Sequence, residues 1–521
     1  NDRKKYSVGQ NAGMKLNENG GIEIYVADER PEGVPEENWL PINRKDEDMD
    51  IVLRAYVADL EKMKTWTAPK AEKLESAMDA PAKAPEMTDQ QIENLVKRSY
   101  QHVAMYNVNN KFALKLGGWN TVDADTQLKD HTMREIARPN NDTLYITCVL
   151  DLRKDPVILE MPAFDSKYVS LMVTGYDHYV NVPMSTRIGD FKKPEKMLFY
   201  TERTEGYDGK PVEGVDRVFE CTGDFISAVL RIMPHARDPE RFQRIVEEMK
   251  DVKITTLAEF RGGKAKPIDD VVFPSVGETD ADIFENNLLE VMQFVFNHTT
   301  FDPKDPLDQA LLAAYKPLGV ESGKAWDPPT VAEIDGARFR RISLDVQKDQ
   351  LMFLSDPEKG AHLTPLLAQP KGRMRLDALV AQSVIGPIGL PAAEAMYPPV
   401  AAADGKPMNA QHDYVIRMTK DQMPPFGAFW SLTLYDNKNG FFIPNERKKY
   451  SVGENAGMKL DEDGGIEIHV AAEKPEGVPE ENWLPINRGD EGIDLSLRVY
   501  VPDLEKMKTW TAPKAEINGD E

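Results

Sequence analysis

Cysteine is nearly missing from this chain of 521 residues: Cys148 and Cys221 are the only two, and both lie in apolar runs. Two thiols cannot supply a disulfide framework, and in such runs a free thiol packs as a small hydrophobe. Cations are in deficit too. Lys and Arg number 64 against 87 Asp and Glu, a formal net charge of -23 with pI near 4.9. The clustered basic surface that phosphate backbones require is therefore absent, and no nucleic-acid partner is expected. No apolar run approaches the ~20 residues that cross a bilayer as a helix, so a soluble chain with no membrane span is expected. A basic or apolar leader is lacking after Asn1. The compartment stays open between cytoplasmic and, had a leader been removed, periplasmic or secreted.

Catalytic signatures are equally scarce. There is no Gly-x-Ser-x-Gly elbow, and Gly319-Val320-Glu321-Ser322-Gly323-Lys324-Ala325 is one spacer short of a P-loop and lacks the hydroxyl after Lys. The eight His, at 102, 131, 178, 235, 298, 362, 412 and 469, form no pair at metal-site spacing. Asp461-Glu462-Asp463-Gly464 places Gly too early for a calcium loop. No metal and no cofactor are expected.

What the chain has in excess is itself. Residues 1–72 realign at a constant offset of 444 onto 445–516, with fourteen differing positions. The second copy is preceded by the alternating run Ala428-Phe429-Trp430-Ser431-Leu432-Thr433-Leu434-Tyr435-Asp436, which the first copy lacks. The first copy is thus an incomplete domain, expected to fold poorly alone. Two accounts are open: it is the tail of a preceding unit in a tandem array, or its unpaired edge docks on another copy, giving self-association through the partial repeat.

An Ala, Pro and charge-rich linker spans 73–86. Thr88-Asp89-Gln90-Gln91 has the form of a capping box, predicting a helix to about Leu116. Short β-branched and aromatic runs follow at Thr143–Leu150, Tyr168–Thr174, Lys196–Thr201 and Phe225–Ile232. Helical spacing returns at Asp238–Met249, Ala281–Phe296, Leu307–Tyr315, Val331–Asp345 and roughly Gly360–Leu367. Strands resume at Tyr414–Met418, Phe429–Tyr435, Gly465–Val470 and Leu495–Val501. The organisation expected is a partial repeat (1–72), the linker, an N-terminal β domain with a leading helix (87–235), a helical region (236–384) and a C-terminal β-sandwich domain (385–521).

Arg138-Pro139-Asn140-Asn141-Asp142-Thr143-Leu144-Tyr145, the Ala428–Asp436 run, Lys449-Tyr450-Ser451-Val452-Gly453, Glu481-Asn482-Trp483-Leu484-Pro485 and Thr509-Trp510 together resemble a paired bacterial family. Its members carry domain of unknown function 1254 followed by domain of unknown function 1214, and the resemblance covers about 95–516. It implies an α+β, β-rich fold of two jelly-roll or sandwich-like β domains with helical insertions, and no established reaction. Where the family usually has Arg-Tyr-Tyr-Ser and a nearby Gln, this chain reads Lys167-Tyr168-Val169-Ser170-Leu171-Met172, so a role resting on that Arg or Gln does not carry over.

Three places bring polar chemistry together. Arg138, Asn140, Asn141, Asp142 and Tyr145 set a cation, two amides, a carboxylate and a phenol at a turn before a strand, suited to an anionic or hydroxylated ligand, or to capping the turn itself. Asp177 and His178, with Asn181, pack an acid, an imidazole and an amide into one loop, where the acid could orient a general base. Adjacent residues on extended chain point to opposite faces, which favours separate neighbours for the two. Asn482 and Trp483 form a loop motif present in both copies, and Trp430, Tyr435, Trp483 and Trp510 are candidates for stacking on a sugar ring, with core packing the alternative. Two functions follow: a cofactor-free, hydrolase-like enzyme with Asp142, Asp177 and His178 as catalytic groups, or a noncatalytic protein binding a glycan or another small molecule.

Overall fold

The computed structural model describes residues 5–17, 20–28, 30–31, 33–42, 51–56, 59–71, 87–134, 138–178, 182–355, 363 and 366–518. The chain forms two compact units, Asn1–Leu74 and Glu75–Glu521. In the first, strands β1 (Tyr25–Ala27) and β2 (Trp39–Pro41) pair in parallel. The Trp39 Nε1 donates to the Ala27 carbonyl at 2.9 Å, and the Asn38 amide clips the backbone of Lys15 in both directions at 2.8 Å.

The second unit begins with the helix Asp89–Leu116, where the predicted capping box is present: Thr88 Oγ1 accepts from the Gln91 amide and the Gln91 side chain accepts from the Thr88 amide. The left-handed Gly117 ends it. Its inward face packs on Leu288, Met292 and Val295 of the helix Leu288–Asn297 and on Phe339 and Ile342 of the helix Gly336–Ser355, building a mainly helical core that Tyr176 and Phe225 also enter. The 281–296 periodicity is divided at Asn287 into Asp280–Asn286 and Leu288–Asn297. The last predicted start fell early, because Pro328–Thr330 closes into a 3-10 turn and the side chain of Asp335 caps Arg338 instead. The linker and most of the helix expected at 360–367 lie outside the described residues.

The N-terminal β domain has nine strands: β3 (Thr121–Asp125), β4 (Leu144–Asp151), β5 (Val157–Met161), β6 (Val169–Thr174), β7 (Val182–Ser185), β8 (Glu195–Tyr200), β9 (Arg217–Glu220), β10 (Phe225–Ile232) and β11 (Lys253–Thr256). They form two sheets, ordered β3-β4-β10-β6-β7 and β11-β5-β8-β9. Ile146, Cys148, Ala228 and Leu230 from the first meet Leu159, Met197 and Phe199 from the second in one dry core, which makes the domain a sandwich. The helix Pro239–Lys250 adds Ile245, Val246 and Met249 to that core, and β11 pairs with β5.

The C-terminal β domain has β12 (Ala395–Met396), β13 (Pro399–Val400), β14 (Tyr414–Met418), β15 (Phe426–Asp436), β16 (Ser451–Gly453), β17 (Ile466–Ala471), β18 (Trp483–Pro485), β19 (Ile493–Pro502) and β20 (Ala515–Ile517). The sheets run β12-β19-β15-β16 and β18-β17-β14-β20. Trp430, Leu432, Leu495 and Leu497 of one pack on Ile416, Ile466 and Ile468 of the other, a second sandwich. The architecture is α+β, with two sandwiches and helical insertions.

Strand period decides which residues meet between the sandwiches. Since Leu230 and Ile232 face the N-terminal core, Arg231 points to the opposite face, level with Tyr145 on β4 and Ser170 on β6. Since Leu432 and Leu497 face the C-terminal core, Ser431 and Arg498 form an outward pair, as do Phe429 and Tyr500. The two outward faces touch through Tyr168, whose ring lies 6.1 Å from Phe429 and 5.2 Å from Tyr500.

Candidate functional site

The segment 138–142 lies across the outward face of the C-terminal sheet, and nearly every polar group in it is taken. Arg138 donates twice to Asp494 Oδ2, at 2.9 and 2.7 Å, with a positive φ of 51. The carbonyls of Arg138 and Pro139 accept from Arg498 Nη2 at 3.0 and 3.3 Å, and Tyr435 also donates to Pro139. Asn140 donates to the Tyr500 hydroxyl at 2.8 Å and to Thr143. Asp142 is buried and accepts from Ser431 Oγ at 2.6 Å. Burial pushes its carboxyl above the ordinary range, while the Arg498 guanidinium and the Ser431 hydroxyl oppose that shift. Asn141 keeps a buried Oδ1 with no donor among the described residues. This motif is first a clasp between sandwiches, with Tyr145 half-buried and Arg138 exposed.

Asp177 and His178 diverge. Asp177 faces Lys371 at 3.8 Å, and the same ammonium holds Asp308 at 2.6 Å and donates to the Thr300 carbonyl. Burial pulls the Lys371 pKa down, but the two carboxylates outweigh it and the net shift is upward. His178 instead places Nδ1 3.0 Å from Ser383 Oγ on the helix Leu376–Ile385. Burial lowers its pKa to about 4, against the neighbouring Pro387 carbonyl, so the imidazole is neutral near pH 7. Ser383 also donates to the Leu379 carbonyl of its own helix, so the pair is a packing contact between buried groups. Asp142 shares no contact with either residue, and the three proposed catalytic groups do not converge. Asn181 lies outside the described residues.

Asn482 and Trp483 are interior. The Asn482 amide clips Lys459 in both directions at 2.8 Å, and the Trp483 Nε1 donates to the Ala471 carbonyl at 2.9 Å. These bonds repeat those of Asn38 and Trp39 in the first copy, so the motif holds a loop shut in both. Trp483 and Trp430 are 6% and 0% exposed, which leaves no open ring face for a sugar. Burial, not ligand stacking, uses these indoles.

The residues that do gather were not singled out from sequence. Arg231 is 5% exposed, makes no ion pair with a carboxylate among the described residues, and has no acceptor for Nη1. Its Nη2 donates to the Ile388 carbonyl and its guanidinium lies 5.6 Å from the centre of the Tyr145 ring. The Tyr145 phenol interacts with the guanidinium by charge and by a hydrogen bond, while Nη1 itself has no partner among the described residues. Tyr397 is 45% exposed, and the charges of Arg231, Arg498, Tyr145 and Asp142 act on its hydroxyl. Beside it, Glu394 is saturated by Arg187 at 2.7 Å, Ser185 at 2.9 Å and the Tyr168 hydroxyl at 3.3 Å. With Glu394 matched by Arg187 and Asp142 set against Arg498, Arg231 is the charge of this cluster left without a carboxylate among the described residues. The sequence signal for it is a cation inside an apolar strand run, Ala228-Val229-Leu230-Arg231-Ile232, repeated in Leu495-Ser496-Leu497-Arg498-Val499.

A second missed group is Asp224. Its Oδ2 lies 2.9 Å from His298 Nδ1 and its Oδ1 accepts from Arg203 Nε at 2.8 Å. The Asp224 amide also donates to the His298 carbonyl, tying the start of β10 to the end of a helix. This is the acid–imidazole pairing that the sequence suggested at Asp177 and His178. No group of three His, Cys, Asp or Glu suited to a metal ion occurs among the described residues. No helix among them is long and apolar enough to cross a membrane.

Two sandwiches joined face to face through a polar seam, with a helical lobe against the first, define a bidomain α+β protein with the Arg231 cluster at the seam. Residues 119–256 match the model for a protein of unknown function, DUF1254, and residues 1–60 and 394–504 that for another, DUF1214. The chain therefore belongs to the family that pairs these two domains, with a further DUF1214 stretch at its start. The crystal structure of the VPA0106 protein from Vibrio parahaemolyticus is similar in fold, at 22% identity and a TM-score of 0.63, over 83% of this chain and 100% of that one. A structure of an uncharacterized protein from Burkholderia cenocepacia matches at 14% identity and a TM-score of 0.39, over 83% of this chain and 90% of that one, too low to carry an argument. No curated protein matches the chain.

Proposed function

We propose that the chain is a noncatalytic binding protein for a small anionic molecule, held between Arg231 and Tyr145 of the N-terminal sandwich and Tyr397 of the segment that leads into the C-terminal one. The observation that carries this reading is a buried guanidinium whose Nη1 has no acceptor and which has no carboxylate counter-ion among the described residues. Removing such a cation from water is expensive unless an anion meets it, and a planar donor fork matches a carboxylate or phosphate. The phenols add donors at the rim, and the half-open Tyr397 supplies access. Hydrolase chemistry gains nothing comparable, because Asp142, Asp177 and His178 each serve a different neighbour.

The test is calorimetric titration with small carboxylates, inorganic phosphate and neutral sugars, on the wild-type chain and Arg231→Gln. An anion should bind saturably and weaken by roughly 10–100-fold in the variant, as expected for one charge-assisted contact worth about 1.5–3 kcal/mol. Sugar binding without anion binding, or full anion affinity in Arg231→Gln, would overturn the reading.

A further inference from the structure

On the outward face of the N-terminal sheet, Tyr145 of β4, Arg231 of β10 and Ser170 of β6 stand directly opposite one another, and Ser185 of β7 follows. Side chains paired in this way rise about 5 Å apart on one face. On β10 and β6 this polar row is a single residue deep. Two residues along one way, the same face carries Val229 and Met172; two residues along the other way, it carries Met233 and Tyr168, and all four are at most 3% exposed. Met172 clusters with Ala368 and Ile388, while Met233 and Tyr168 cluster with Leu390, Phe429 and Tyr500. Arg231 and Ser170 therefore form a polar stripe between two apolar layers.

Two donors in that stripe are buried and have no hydrogen-bond partner of good geometry among the described residues: Arg231 Nη1 and Ser170 Oγ. Both lie around one phenol. Burial and the Glu394 carboxylate push the Tyr168 pKa well up, and the Ser170 hydroxyl and the Arg231 charge pull it down. Arg231 Nη2 is already taken by the Ile388 carbonyl, so the guanidinium offers an incoming anion Nη1 and not its full fork. The second oxygen of a planar anion then needs another donor, and Ser170 is the one that the sheet sets beside it. We infer that the ligand of this site is a monocarboxylate with an apolar body, one oxygen on Arg231 Nη1 and the other on Ser170 Oγ, an assignment that rests on the anion-binding reading above. Charge and surroundings select this class. With Glu394 matched by Arg187 and Asp142 set against Arg498, one cation of the cluster remains for the ligand, and a doubly charged phosphate would bury one negative charge too many. A polyhydroxylated body would lay its hydroxyls against Val229, Met172 and Met233, whose side chains offer no oxygen or nitrogen to meet them. An apolar body meets those layers without that cost.

The test is calorimetric titration of the full chain with benzoate, hexanoate, gluconate and inorganic phosphate, repeated on Ser170→Ala and Arg231→Gln. Benzoate or hexanoate should bind roughly 10-fold or more tightly than gluconate and phosphate. Ser170→Ala removes one oxygen, should keep the thermal midpoint, and should weaken the bound carboxylate by roughly 10-fold, as expected for a lost hydrogen bond to a charged group. Phosphate or gluconate binding as tightly as both apolar acids, and lost in Arg231→Gln, would overturn the monocarboxylate assignment while leaving the anion site in place. Full carboxylate affinity in Ser170→Ala would overturn the two-donor geometry. No saturable binding of any anion, or affinity unchanged in Arg231→Gln, would overturn this inference and the anion-binding reading together.

Discussion

Single side chains in this protein are decided by what a buried charge meets. His178 is held at a positive φ of 62, and burial lowers its pKa from 6.5 to about 4. A depressed folded-state pKa contributes stability that is complete above the unfolded value and is lost as pH falls through the window from 6.5 to about 4. The shift corresponds to about 3 kcal/mol. His102, lowered by burial and by Lys371 to about 3, acts in the same direction over a wider range. Asp142 and Asp308, raised mainly by burial, act oppositely: their contribution is present at low pH and is lost as pH rises through their raised values. The comparison of variant with wild type isolates the imidazole. His178→Asn, a residue that tolerates positive φ, should flatten the acid limb of unfolding free energy between pH 6.5 and 4, measured by urea titration at several pH values. An unchanged slope would show that the imidazole is not buried neutral. Lys371→Met should be costlier, about 3–5 kcal/mol at neutral pH, because it leaves Asp308 and Asp177 facing each other without their cation. Urea unfolding reads this too.

At the scale of elements the seam between sandwiches is the feature to test. Arg498 donates to Thr433 and to the carbonyls of Arg138 and Pro139, and sets its charge against Asp142, so one side chain ties the 138–142 turn to β15 and β19. Arg498→Met should destabilise by about 3–5 kcal/mol and split thermal unfolding into two transitions, since the two cores are separate and the seam couples them. A single unshifted calorimetric peak would mean that apolar contacts of Tyr168 with Phe429 and Tyr500 suffice. Much at this scale was legible. The Thr88 box, the Leu116 end and the strand Phe225–Ile232 follow from local capping and alternation. The helix expected from Val331 was displaced because two prolines suit a 3-10 turn as well as a helix start. Short edge strands such as β7 and β9 passed unseen, as four residues carry too little pattern.

For the whole molecule, the division at Leu74 and Glu75 carries its own prediction. Removing residues 1–74 should leave the remaining unit with its unfolding midpoint within about 2 °C of the full chain, by differential scanning calorimetry, because each unit is compact by its own contacts. Aggregation of the truncated chain, or a fall of many degrees, would show that the first unit supplies packing to the second.

The sequence by itself determined the duplication, the acidic surface, the paired family and the alternation that builds two sandwiches, since repeats, charge and strand period are local or additive properties. It also placed Tyr145 among the candidates. Only the tertiary structure decided that Arg138, Asn140 and Asp142 are spent on a clasp, that Asp177 and His178 part company, and that Arg231 stands at the seam without a counter-ion among the described residues. Those outcomes depend on residues hundreds of positions apart, such as Asp142 with Ser431 and Arg231 with Ile388, brought together by sheet faces whose contact no local pattern encodes.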